Sequence, residues 1–180
     1  MKLFIAIALA LPAFAQAASP SNYAGQESRP IKALSASEQA DLLAGKGMGL
    51  AKAAELNGYP GPAHVLELAS ELELSADQLA ATQALFASME QRAKELGRQL
   101  VAAEQSLDAL FASRQATSTQ LEQSLAAIGD LQAKVRGAHL VAHIEQARML
   151  SAEQTARYVS LRGYSQSGGQ QQGHEHGRGH

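Results

Sequence analysis

Leu74-Ser75-Ala76-Asp77-Gln78 and Leu150-Ser151-Ala152-Glu153-Gln154 are one phrase written twice, and the chain between them decides the fold. In each copy a serine stands where a helix N-cap would accept a hydrogen bond from the first turn. A glutamine three residues on can reach back to the cap's own N–H. The leucine ahead of the cap occupies the position of a hydrophobic staple, with Leu79 as its partner in the first copy. Asp77 and Glu153 suit the positive end of a helix dipole. Both copies therefore predict helix starts.

From the first copy a stripe runs through Leu79, Thr82, Phe86, Met89, Ala93, Leu96, Leu100, Ala103, Leu107 and Leu110 in steps of three and four. That spacing keeps one face of a single long helix apolar. It breaks over Ser113 to Thr119, where Thr117 and Gln120 form another capping pair. A second stripe follows through Leu121, Leu125, Ile128, Gln132, Val135, His139, Ala142 and Met149. Two long helices with a short break predict an all-α fold built on a long antiparallel helical hairpin.

The chain ahead of the hairpin supplies its cover. Ser35 and Glu38 cap a short helix through Leu42-Leu43, and Leu50 to Leu56 predicts another, ended by Asn57-Gly58. Tyr59-Pro60-Gly61-Pro62 is a rigid turn, and Ala63 to Glu73 a third short helix. Gly45-Lys46-Gly47-Met48-Gly49 lacks the spacing and the Lys-Ser/Thr ending of a phosphate loop; its glycines suit a helix break or a close helix crossing. These short N-terminal helices are expected to pack on the hairpin.

The two ends differ in character. Met1-Lys2, an apolar run from Leu3 to Phe14 and Ala15-Gln16-Ala17 have the form of a cleaved secretory signal over residues 1–17, which points to the periplasm. Residues 18–33 are expected to be a flexible leader, 34–164 the helical domain, and 165–180 a disordered Gly/Gln/His-rich tail. There is no cysteine, so neither a lipoprotein anchor nor a disulfide is expected. A formal charge of −2 with acids and bases interleaved offers no basic patch for nucleic acid.

With its leader, its helical cysteine-free chain and its two Leu-Ser-x-x-Gln phrases, the sequence resembles the Spy/CpxP family of periplasmic proteins. Relatives of that family include heavy-metal sensor and resistance proteins. Its phrase is Leu-Thr-x-x-Gln; serine replaces threonine at Ser75 and Ser151, which keeps the cap chemistry. The resemblance implies a hooked four-helix arrangement around the hairpin, pairing into a homodimer, and no enzymatic activity. It further implies either envelope-stress or metal sensing with a membrane-bound signalling partner, or ATP-independent holdase chaperoning of unfolded clients.

Three groups of residues are candidates for the chemistry. His139 and His143, four apart on one helix face, are the expected ligands of a transition-metal ion (Ni, Co, Cu or Zn), with His64 as a third and Met48 and Glu67 as weaker ones. His174, His176 and His180 are a second, unstructured set of metal donors. Leu85, Phe111 and Leu131 lie beside the main stripe and are candidates for a client or dimer surface. No nucleophile–base pairing and no His-Glu-x-x-His occurs, so no enzyme is expected.

Overall fold

A computed structural model describes residues 21–164. The signal sequence expected over residues 1–17 and the tail histidines His174, His176 and His180 lie outside them. The described chain is all-helical: α1 (Ala36–Leu43), α2 (Lys52–Glu55), α3 (Pro62–Glu67), α4 (Ala76–Ala112), α5 (Ser118–Met149) and α6 (Ala152–Leu161). No helix among the described residues is long and apolar enough to cross a membrane.

All four expected capping boxes are present, at Ser35/Glu38, Ser75/Gln78, Thr117/Gln120 and Ser151/Gln154. The two long helices have 37 and 32 residues and pack side by side. They run in opposite directions, since the start of α4 meets the end of α5 through Gln78–Met149 and Thr82–Gln146. Leu42 of α1, Leu96 and Leu100 of α4, and Ile128 and Val135 of α5 form the main core. Burying each such side chain contributes about 1.5–3 kcal/mol, against about 1 kcal/mol for a cap. The stripes therefore hold the pair together, and the caps fix where each helix begins.

Several expectations needed correction. Leu125 and Gln132 are exposed, because the core-facing row of α5 is Ile128, Val135, His139, Ala142, His143 and Gln146. Leu131 is not a free surface residue; it packs against the main core. Leu85 is half-buried, and Phe111 is exposed as expected. The helix expected from Ala63 to Glu73 stops at Glu67, and the chain turns at Glu73 with φ 52°. That release sends Leu72 into a second core with Val65 and Tyr158 and frees the Leu72 carbonyl for Gln154. The leader is anchored at its end: Ile31 is buried, and Lys32 bonds Asp108 of α4 through both its backbone N–H and its ammonium.

The repeated phrase closes on itself. Gln78 Nε2 donates to Gln154 Oε1 at 2.8 Å, and Gln154 Nε2 donates back to Gln78 Oε1 at 3.0 Å. The same two amides reach the carbonyls of Met149 and Leu72, while each Oε1 still accepts from its own cap. Two helix starts are thus fastened by one pair of side chains. Gln78→Ala is expected to cost about 2 kcal/mol, several half-buried hydrogen bonds being lost together. Gln120→Ala, which breaks a box at an exposed turn, should cost only about 0.5–1 kcal/mol. Urea unfolding of both variants checks this, and equal losses would show that the Gln78–Gln154 clasp adds nothing.

Candidate metal site

The polar break in the α5 row is where the site forms. His139 and His143 replace apolar residues on a face that is otherwise core, and both are buried. They line a pocket of about 480 Å³ between the long helices and the N-terminal layer. Phe86, Met89 and Glu90 of α4 form one wall; the Gly45–Gly49 segment, Glu55 of α2 and the Gly61–His64 stretch form the other. The glycines allow this close approach. Gly45, at φ 68°, lies against the Glu90 carbonyl and Lys94, and Gly61 leaves room only for the His143 ring.

The two imidazoles are held differently. His143 Nδ1 lies 2.8 Å from the carbonyl oxygen of Tyr59. A carbonyl can only accept, so Nδ1 carries the proton and, in the neutral ring, Nε2 is left as an acceptor. Glu55 Oε2 stands 3.6 Å from the same Nδ1. His139 Nε2 is buried with no hydrogen-bond partner. Burial, and then the neighbouring His143, hold the ionisation of His139 below the ordinary imidazole range, so it stays neutral, the form a metal requires.

Around this pair the other expected ligands are unevenly placed. Met48 lines the pocket and is held at φ 48°, a left-handed conformation that costs a side chain of this kind about 1–2 kcal/mol. His64 also lines the pocket, yet its Nδ1 is 3.0 Å from Glu67 Oε2 on the outer side of α3. Glu67 is largely exposed and does not line the pocket. Among the described residues no three of His, Asp, Glu or Cys gather closely enough to form a ready-made metal shell.

Sequence reasoning missed the supports. Glu55 is buried, its Oε1 accepting from the hydroxyls of Tyr158 at 2.5 Å and Tyr164 at 2.9 Å. Its Oε2, like His139 Nε2, has no hydrogen-bond partner. Burial, and then the Glu55 carboxylate, push the Tyr158 phenol well above its usual range, so its hydroxyl remains a donor. A clue was present in the sequence: with only four tyrosines in the chain, two within seven residues of α6 and its end are conspicuous. Gln146 and Thr82, fully buried and bonded to one another, continue the polar row below the histidines. Compared with protein-family models, curated proteins and solved structures, the chain matches none.

Proposed function

We propose that this is an exported, non-enzymatic protein of the hooked Spy/CpxP type that binds one transition-metal ion (Ni, Co, Cu or Zn) in envelope stress or metal resistance. The observation that carries the reading is the unpartnered, buried Nε2 of His139. Leaving such an atom unsatisfied costs about 1–3 kcal/mol, and a bound cation would be a partner that removes the cost. His143 supplies the second donor, its ring fixed through Nδ1 as ligand histidines commonly are. Met48 and Met89 offer thioethers to a soft ion, and His64 joins on leaving Glu67. The ion is held and released there, and the consequence is carried by the protein's shape to a second copy or to a membrane-bound signalling partner.

Calorimetric titration tests this, using the full mature chain carrying His174→Ala, His176→Ala and His180→Ala so that the tail cannot bind. Micromolar or tighter binding of at least one of the four ions, lost in His139→Ala, is the expected result. No binding by the parent would refute the site. The other reading, a holdase chaperone, draws on the exposed apolar side chains Phe111, Leu125, Val141 and Ile144 and on the Leu85–Val141 groove. It requires suppression of client aggregation that is equal with and without chelator.

A further inference from the structure

The residue that faces His143 from behind is itself held by the last helix. Glu55 Oε2 is 3.6 Å from His143 Nδ1, while Oε1 takes the hydroxyl hydrogens of Tyr158 and Tyr164, with Arg162 Nε 3.5 Å away. Tyr59, whose carbonyl takes the Nδ1 proton, follows four residues after Glu55 at the end of the same short helix and turn. Fastening Glu55 therefore also fastens the backbone that orients the ring. Beyond these bonds α6 has few attachments: the glutamine clasp and the Gln154–Leu72 bond at its start, Arg157–Glu73, and the buried Tyr158 with Val159 in the small core. Leu150, extended at φ −98° and ψ 150°, separates it from α5 as a hinge would. A lightly attached terminal helix is the kind of element that opens locally while the rest stays folded.

Resting on the metal reading above, we infer that α6 is part of the binding site, so that its seating and occupancy of the pocket are one coupled equilibrium. A cation on His143 Nε2 withdraws electron density from the ring and makes Nδ1–H a stronger donor. The bond to Tyr59 and the attraction to Glu55 both tighten, and the tyrosines that hold Glu55 are held in turn. Linkage makes the effect reciprocal: an ion seats α6 more firmly, and loss of α6 weakens the ion. Tyr158 and Tyr164 are positioning residues in this scheme and touch no metal.

The test uses the full mature chain with the tail histidines replaced by alanine, nickel ion as probe, and the double variant Tyr158→Phe/Tyr164→Phe. Nickel affinity is expected to fall about ten-fold, the lower end of what outer-shell changes cost. In the parent, nickel should slow hydrogen exchange across α6. Without any metal, nitrogen NMR should find His143 fixed as the Nδ1–H tautomer in the parent and mixed in the double variant. If the parent binds nickel while the variant's affinity and the α6 exchange stay unchanged, the coupling is overturned and the metal reading stands. If the parent binds none of nickel, cobalt, copper and zinc, the metal reading fails, and with it the coupling to occupancy; if it binds one of the others and not nickel, that ion replaces nickel as the probe. An unchanged tautomer overturns the orienting role by itself. Should the double variant unfold by circular dichroism, Tyr164→Phe, which alters a half-buried group, carries the same measurements.

Discussion

Gly97→Val is expected to destabilise the protein by at least about 3 kcal/mol, the upper end of ordinary overpacking. Gly97 lies in the buried row of α4 beneath the last turn of α1. A Cβ built there would sit 2.1 Å from the Leu42 carbonyl oxygen and 2.8 Å from its carbon. Those atoms are backbone and cannot swing aside as a side-chain tip would. The end of α1 has to lift by more than an ångström, about the gap between 2.1 Å and ordinary contact. Lifting it withdraws Leu42 from Leu96, Leu100, Ile128 and Val135 and moves the Gly45–Gly49 segment that walls the pocket. The gain from removing a helical glycine, up to about 1 kcal/mol, is too small to offset this. Gly137→Ala supplies the contrast, since nothing lies within 4 Å of its Cβ position. It should stabilise by about 0.4–1 kcal/mol, so urea unfolding of the two variants should move in opposite directions. A Gly97 variant as stable as the parent would mean that α1 does not rest on α4 at this point.

The contrast between these glycines shows what the sequence could and could not disclose. Helix starts are local chemistry, a serine or threonine with a glutamine or glutamate three residues on, and every expected box is formed. The α4 stripe was equally legible, because the apolar spacing of one helix is written within that helix. The α5 row was misread at Leu125 and Gln132 because the inward side of that half of the helix runs through Ser124, Ile128 and Leu131, one residue off the expected stripe, and farther on an apolar template steps past His143 and Gln146. That departure is what singles out the candidate site, since a polar row on a packed face breaks the pattern the rest of the fold obeys. His139 and His143 were identifiable from their spacing, but their burial and the fixed tautomer of His143 were not. These depend on the Tyr59 carbonyl and on Glu55, which are 84 and 88 residues away in the chain. The meeting of Gln78 with Gln154 was hidden for the same reason, although the repetition of their phrase was plain.

On the proposed metal site, Gly61→Ala is expected to abolish binding while leaving the helices intact, with nickel affinity falling more than about 100-fold, beyond the usual range for outer-shell changes. The backbone at Gly61 is φ −86° and ψ 141°, an extended conformation that alanine adopts without strain. What the methyl meets is the ring of His143, Cε1 at 2.8 Å and Nε2 at 2.9 Å, with Glu55 Oε2 at 3.5 Å. The ring has to turn away, and in turning it gives up the Tyr59 carbonyl that fixes its tautomer and aims Nε2. His139 is untouched, so the variant removes one donor and its orientation together without emptying the second position. Gly47→Ala is the control, since its Cβ would lie 3.9 Å from His139 Nδ1, an ordinary contact, and the affinity should be unchanged. Calorimetry with nickel on both variants, in the background lacking tail histidines, reads the difference. If Gly61→Ala binds as the parent does, His143 is not a ligand, and the pocket must hold its ion on His139 with Met48, Met89 or His64. If both variants lose binding equally, the pocket wall as a whole sets the affinity, and the specific role of the His143 ring is withdrawn.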